Sequence, residues 1–163
     1  MISVERLKEV LNYSPETGLF TWKIRLGSRT KIGAVAGSIK PDGYVCIEID
    51  KVRYKAHRLA WLYVYEEFPE LFIDHINGDT GDNRISNLRL ANHEQNMWNS
   101  KKAAHNTSGY KGVHFNKNTK KWRACAWQKN NIVHIGLFET KEKAHEAYVN
   151  WCVNNRGSFM RVN

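Results

Sequence analysis

The sequence predicts an α+β protein built in two parts. Three observations carry this reading. Short apolar stretches are bounded by turn signals. Only a few segments have helical period. The positive charge lies at one end. Of 163 residues, 42% are hydrophobic and 12% aromatic, enough for packed cores. The net charge is +9. Residues 97–163 hold 12 Lys+Arg against 3 Asp+Glu, and residues 1–96 hold 13 of each, so the whole excess is C-terminal. A basic region interleaved with aromatics points to a polyanion such as nucleic acid.

The elements follow in order. Ser3 caps a short helix whose apolar face is Val4, Leu7, Val10 and Leu11. Pro15-Glu16-Thr17-Gly18 is a turn leading to a strand at 19–22, and Lys40-Pro41-Asp42-Gly43 leads to one at 44–49. Asp50-Lys51 reverses the chain into 52–56. A helix over 57–67 is stopped by Pro69. Trp22, Trp61, Leu62 and Tyr63 supply packing bulk. Beyond a polar stretch at 97–109, strands are expected near 110–115, 121–128 and 131–137. Thr140 then caps a helix with Ala144, Ala147, Tyr148 and Trp151 on one face.

Other classes are disfavoured. No apolar run approaches the roughly 20 residues of a membrane span, and the first residues do not read as a secretory signal. Cys46, Cys125 and Cys152 fit neither a disulfide framework nor a zinc knuckle. The expected setting is a reducing cytoplasm, and the expected state a monomer or a dimer.

The chemically loaded segment runs from Phe72-Ile73-Asp74-His75-Ile76-Asn77-Gly78-Asp79 through Asn87-Leu88-Arg89-Leu90 to Asn96. Adjacent strand residues point opposite ways, so Asp74 and His75 can take different jobs around one phosphate. Asn92 can cap a helix carrying Asn96. Phosphodiester hydrolysis needs a cation to offset developing charge and a base for the attacking water. The Asp74 carboxylate and the Asn96 amide are hard oxygen donors suited to Mg²⁺. A neutral His75 suits the base. Bland alternatives exist. Asn77-Gly78 and Asp82-Asn83 also read as turn residues, His93 is an alternative to Asn96, and His57 reads as structural. Arg58 and Arg89 suit either a phosphate or a carboxylate partner.

Asp74-His75-Ile76-Asn77-Gly78 with Asn83, Asn87-Leu88-Arg89 and Asn96 resembles the HNH (ββα-metal) endonucleases of the phage and intron-homing type. Ala56-His57-Arg58-Leu59-Ala60-Trp61 resembles a segment preceding that motif. The resemblance implies His75 as general base, Asp74 and Asn96 as metal ligands and Asn87 as the loop brace. It implies a divalent cation, Mg²⁺ or alternatively Mn²⁺. The chain lacks the structural zinc cysteines of many such nucleases, so packing must hold this core.

Tyr110-Lys111-Gly112-Val113, Trp122-Arg123-Ala124, Ile135-Gly136-Leu137-Phe138 and Thr140 to Ala144 with Ala147-Tyr148 resemble the Apetala-two (ethylene-response-factor) DNA-binding domain. That resemblance implies a three-stranded antiparallel sheet in the major groove, backed by one helix. Period two puts Trp122, Ala124 and Ala126 on one face of the second strand and Arg123, Cys125 and Trp127 on the other. Matching contact positions fall on Lys111, His114, Asn116, Lys121, Arg123, Trp127 and His134. Several replace the family's arginines, so its base preference does not carry over.

The expected architecture is an HNH nuclease region at 1–98, with the ββα-metal unit at 71–98, a linker at 99–108 and an Apetala-two-like domain at 109–163. The expected function is metal-dependent cleavage of double-stranded DNA in the cytoplasm of a bacterial host. The alternatives are a DNA-binding regulator with a degenerate HNH core, or an RNA-directed nuclease.

Overall fold

The computed structural model describes residues 1–28, 30–100, 102, 106–129 and 131–160. Residues 101 and 103–105 of the expected linker lie outside the described residues. The fold is mixed α+β, with four α-helices and several small antiparallel sheets among the described residues. The chain divides into two compact units, Met1–Ala91 and Asn92–Asn163.

In the first unit, Ser3 caps α1 (Val4–Val10), its hydroxyl accepting from the Arg6 amide at 3.2 Å. The next residues form β1 (Leu11–Tyr13), which pairs antiparallel with β2 (Phe20–Trp22). β1 has no counterpart in the sequence reading, because a three-residue strand is specified by its partner more than by its own pattern. β3 (Ser38–Ile39), β4 (Val45–Ile49) and β5 (Val52–Lys55) form a second sheet with β4 central. Asp50 and Lys51 make the β4–β5 reversal, both with positive φ.

α2 (Ala56–Tyr65) ends at Glu66 in the left-handed conformation, ahead of Pro69. It buries Leu59, Ala60, Trp61 and Leu62 against Leu7, Val10, Leu11, Phe20, Ile47 and Ile49. Burying side chains of this kind contributes roughly 1.5–3 kcal/mol each. Tyr63 is only partly buried, and Val64 is exposed. β6 (Phe72–His75) then pairs with β7 (Leu88–Ala91), with Ile73 and Leu88 reaching the same core.

The second unit begins with α3 (His93–Asn99). Asn92 and Gln95 form a reciprocal capping box at its start. α3 packs with the second unit, although the sequence boundary falls after it. β8 (Val113–Asn116), β9 (Lys121–Gln128) and β10 (Asn131–Phe138) form a sheet with β9 central. α4 (Lys141–Arg156), capped by Thr140, runs five residues beyond the expected Trp151. Its Ala144, Tyr148 and Cys152 pack with Val113, Ala124 and Ala126. The alanines let helix and sheet backbones approach closely.

Gly112 lies at this contact with φ +74, and a Cβ there would fall 2.2 Å from the Tyr148 ring. Gly112→Ala is therefore expected to destabilise the second unit by about 2 kcal/mol or more. Denaturant unfolding followed by tryptophan fluorescence checks this, and an unchanged midpoint contradicts the packing described.

Candidate active site and nucleic-acid interface

β6 places Asp74 and His75 side by side, both buried. Alternation sends their side chains to opposite faces of the β6–β7 pair. On one face Asp74 stands opposite Arg89 of β7, whose Nε donates to the Asp74 Oδ2 at 2.9 Å. Both partners are largely buried, so solvent screens this pair little. Arg89 thus takes a carboxylate partner. Arg58 lies over the Phe68 ring at 5.2 Å.

On the other face the His75 imidazole meets Asn83. His75 Nε2 lies 3.3 Å from Asn83 Oδ1. The Asn83 Nδ2 donates to the Gly81 carbonyl at 3.0 Å, which leaves Oδ1 as the atom offered to the ring. An acceptor there requires the proton on Nε2 and makes Nδ1 the basic nitrogen. Burial pushes the imidazole below its ordinary value of 6.5, while Asn83 and the carboxylates of Asp74, Asp82 and Asp79 oppose that shift. The result is a neutral ring with a defined tautomer near neutral pH.

The loop between β6 and β7 is organised by amides. Asn87 Oδ1 accepts from the Asn77 backbone N–H at 3.0 Å. Its Nδ2 donates to the Asn77 Oδ1 at 3.0 Å and to the Asp82 carbonyl at 2.8 Å. Asp82 accepts from Asn77 and from Arg84, and these bonds lower its carboxyl to about 2. The β1–β2 hairpin braces the loop from behind. The Tyr13 hydroxyl donates to the Asn83 carbonyl at 2.7 Å, and Gly18, with φ +72, lets the hairpin turn approach the Asn83–Arg84 backbone.

Two aromatic neighbours complete the pocket around His75. The His57 ring lies 5.1 Å away at 85°, and the Tyr44 ring 5.9 Å away. His57 is 6% exposed, and its Nδ1 has no hydrogen-bond partner among the described residues. The sequence motif includes Asn83 without a role. Its signal was only an Asn in a polar loop, and the contact with His75 depends on how that loop closes. Tyr13 and Tyr44 carried no signal at all.

Asn96, by contrast, sits on α3 within the second unit, with its side chain exposed. His93, the alternative, opens the same helix and is also exposed.

In the β8–β9–β10 sheet, cross-strand register pairs His114 with Arg123 and Asn116 with Lys121. It also pairs Cys125 with His134 and Trp127 with Ile132. By alternation these residues share the face opposite α4. His114, Trp127 and His134 are exposed, while Asn116, Lys121 and Arg123 are half-buried. Asn116 Oδ1 accepts from the Asn118 and Thr119 amides, and Lys121 pairs with Glu139 at 2.7 Å. Lys111 lies outside the strands. Its amine donates to the carbonyls of Trp98 and Ser100, each at 2.6 Å. Trp122 is part of the packing against α4, as its parity predicts.

His57 gives this region a pH signature. Burial, with the neighbouring His75, Lys55 and Arg58, pushes its imidazole from 6.5 down to about 3. Between those values the unfolded chain binds a proton that the folded chain does not. Stability is therefore whole above 6.5 and drains as pH falls toward 3. The loss attributable to His57 at about pH 5 is on the order of 2 kcal/mol. Urea midpoints should fall between about pH 7 and about pH 5, and His57→Phe should flatten that slope. An identical slope in the variant removes His57 as its source.

Comparison with known proteins matches two stretches of the chain. Residues 54–98 match the family model described as HNH endonuclease, and residues 108–158 the model described as AP2 domain. Protein 3.8 of Escherichia phage T7 is 39% identical over 74 residues, covering 43% of this chain and 61% of the phage protein. The chain thus spans about three-fifths of that relative's length. A solved structure of DNA binding and cleavage by the HNH homing endonuclease I-HmuI is similar at a TM-score of 0.44 and 23% identity, covering 59% of this chain and 54% of that one. No helix among the described residues is long and apolar enough to cross a membrane. Residues 54–98 are thus similar to the HNH endonuclease family, and residues 108–158 to the AP2 domain family.

Proposed function

We propose that the chain is a metal-dependent DNA endonuclease in which His75 is the general base and the C-terminal domain holds the substrate. The observation that carries this is the buried His75 ring, with Nε2–H directed at Asn83 and Asp74 next to it clamped by Arg89. A base of this kind must be neutral, oriented and able to present one nitrogen. Burial supplies the first property and Asn83 the other two. Asn87 holds the loop that carries Asn83, and so acts on the base through its support.

The donor chemistry fits a hard divalent cation, Mg²⁺ or Mn²⁺. Among the described residues no group of three or more His, Cys, Asp or Glu stands together as a metal cage. One carboxylate and one carboxamide oxygen form the sparse set that suits Mg²⁺, which keeps several of its waters. In this reading Asp74 and Asn96 hold the ion, and Arg89 fixes the rotamer of Asp74. The assignment of Asn96 rests on the spacing of the motif. When bound, such a cation offsets the charge that develops on the phosphate and on the leaving oxygen.

His114, Asn116, Lys121, Arg123, Trp127 and His134 form the DNA-facing surface in this reading. In this reading Arg123 and His114 reach base edges and Lys121 neutralises a phosphate. The setting is a bacterial host cell, and the partner is double-stranded DNA.

Incubation with supercoiled plasmid tests the reading. Nicking is expected with Mg²⁺ and not with chelator. His75→Ala should lower it by about a hundredfold or more while DNA binding persists. Asn83→Leu, which removes the acceptor, should lower it by about tenfold. Full nicking by His75→Ala overturns the base assignment. Binding without cleavage by the unaltered protein favours a regulator, and equal cleavage of RNA favours an RNA-directed nuclease. In the same assay Arg123→Ala should weaken duplex binding and relax its sequence preference, leaving cleavage at saturating DNA intact.

A further inference from the structure

α3 has seven residues, too few to persist in water on their own. Its N-terminus is closed by the Asn92–Gln95 capping box. Several of the contacts that hold it come from the AP2 domain. The Lys111 amine donates to the Trp98 and Ser100 carbonyls at the helix C-terminal end, where a cation also favours the helix dipole. The Trp98 indole N–H donates to the Trp127 carbonyl at 3.2 Å. The buried Arg156 guanidinium lies 5.2 Å from the Trp98 ring and donates to the Trp127 carbonyl and the Tyr148 hydroxyl, each at 3.0 Å. Near the helix start, the Glu94 carboxylate accepts from the Lys129 backbone N–H.

We propose that Lys111 and Arg156 are positioning residues for the nuclease: they fix α3, and with it Asn96, so the AP2 domain sets turnover as well as location on DNA. The resemblance had placed Lys111 among the DNA contacts. Two carbonyls at 2.6 Å give its amine a structural task instead. Arg156 is 5% exposed and held between aromatic rings and acceptors. This inference rests on the proposed role of Asn96.

The test compares Lys111→Met, Lys111→Arg and Asn96→Ala in the full chain. In chelator, Lys111→Met should bind a short fluorescent duplex of mixed sequence within about twofold of the unaltered protein, with the same salt slope. Amide exchange across residues 93–99 should rise in the metal-free protein. Nicking of saturating plasmid should fall by about tenfold, with more Mg²⁺ needed for half-maximal rate. Lys111→Arg, which keeps the donors, should restore most of it. Trp98→Phe, which keeps a ring and deletes the indole N–H, should repeat the pattern more weakly.

Weaker duplex binding with a salt slope lowered by about one, at unchanged exchange and turnover, overturns the inference and makes Lys111 a phosphate contact. An inactive Asn96→Ala beside a fully active Lys111→Met overturns it alone. Full activity in Asn96→Ala overturns the ligand role on which it rests.

Discussion

The Asn87 carboxamide closes the loop between β6 and β7, and the candidate active site depends on that closure. One side chain satisfies the Asn77 amide, the Asn77 side chain and the Asp82 carbonyl. Without it the twelve-residue connection from 76 to 87 would have to find its own hydrogen bonds in water, where each is worth little. With it the loop presents Asn83 to His75 from a fixed direction. The hairpin at the chain's N-terminal end presses on the same loop through Tyr13 and Gly18. The upstream strands are therefore structural supports of the imidazole.

Electrostatics divides the two faces of β6. The Asp74 face is ionic, with a buried guanidinium partner in Arg89. The His75 ring's own neighbours are neutral side chains, Asn83, Tyr44 and His57. Adjacent residues of one strand thus keep an anionic, ion-paired carboxylate on one face and a neutral imidazole on the other.

Much of the fold was legible in the sequence, because caps and turns announce themselves. Ser3, Asn92 and Thr140 cap the helices they were expected to cap, and Asp50-Lys51 makes the reversal. β1 and β3 were not legible, since strands of two or three residues are defined by distant partners. At the site, the Asp-His pair stood out by residue type. Asn83 did not, because its contact with His75 exists only once the loop has closed. The hydrogen bonds from Lys111 to the Trp98 and Ser100 carbonyls were equally hidden, since a lysine in a basic region reads only as a phosphate ligand. The association of α3 with the second unit was hidden as well, since composition changes near residue 97 but packing changes at Asn92.

The alanines under α4 have a consequence for how this domain can change. Ala124 and Ala126 meet Ala144 and Tyr148 on one side of β9, while Arg123 and Trp127 occupy the other. Alternation separates the two sets, so the side chains packed against α4 are not those of Arg123 and Trp127. An exposed outer position such as Trp127 is therefore open to replacement without repacking the helix–sheet interior. Surface chemistry and interior packing can change here independently, one outward-facing codon at a time.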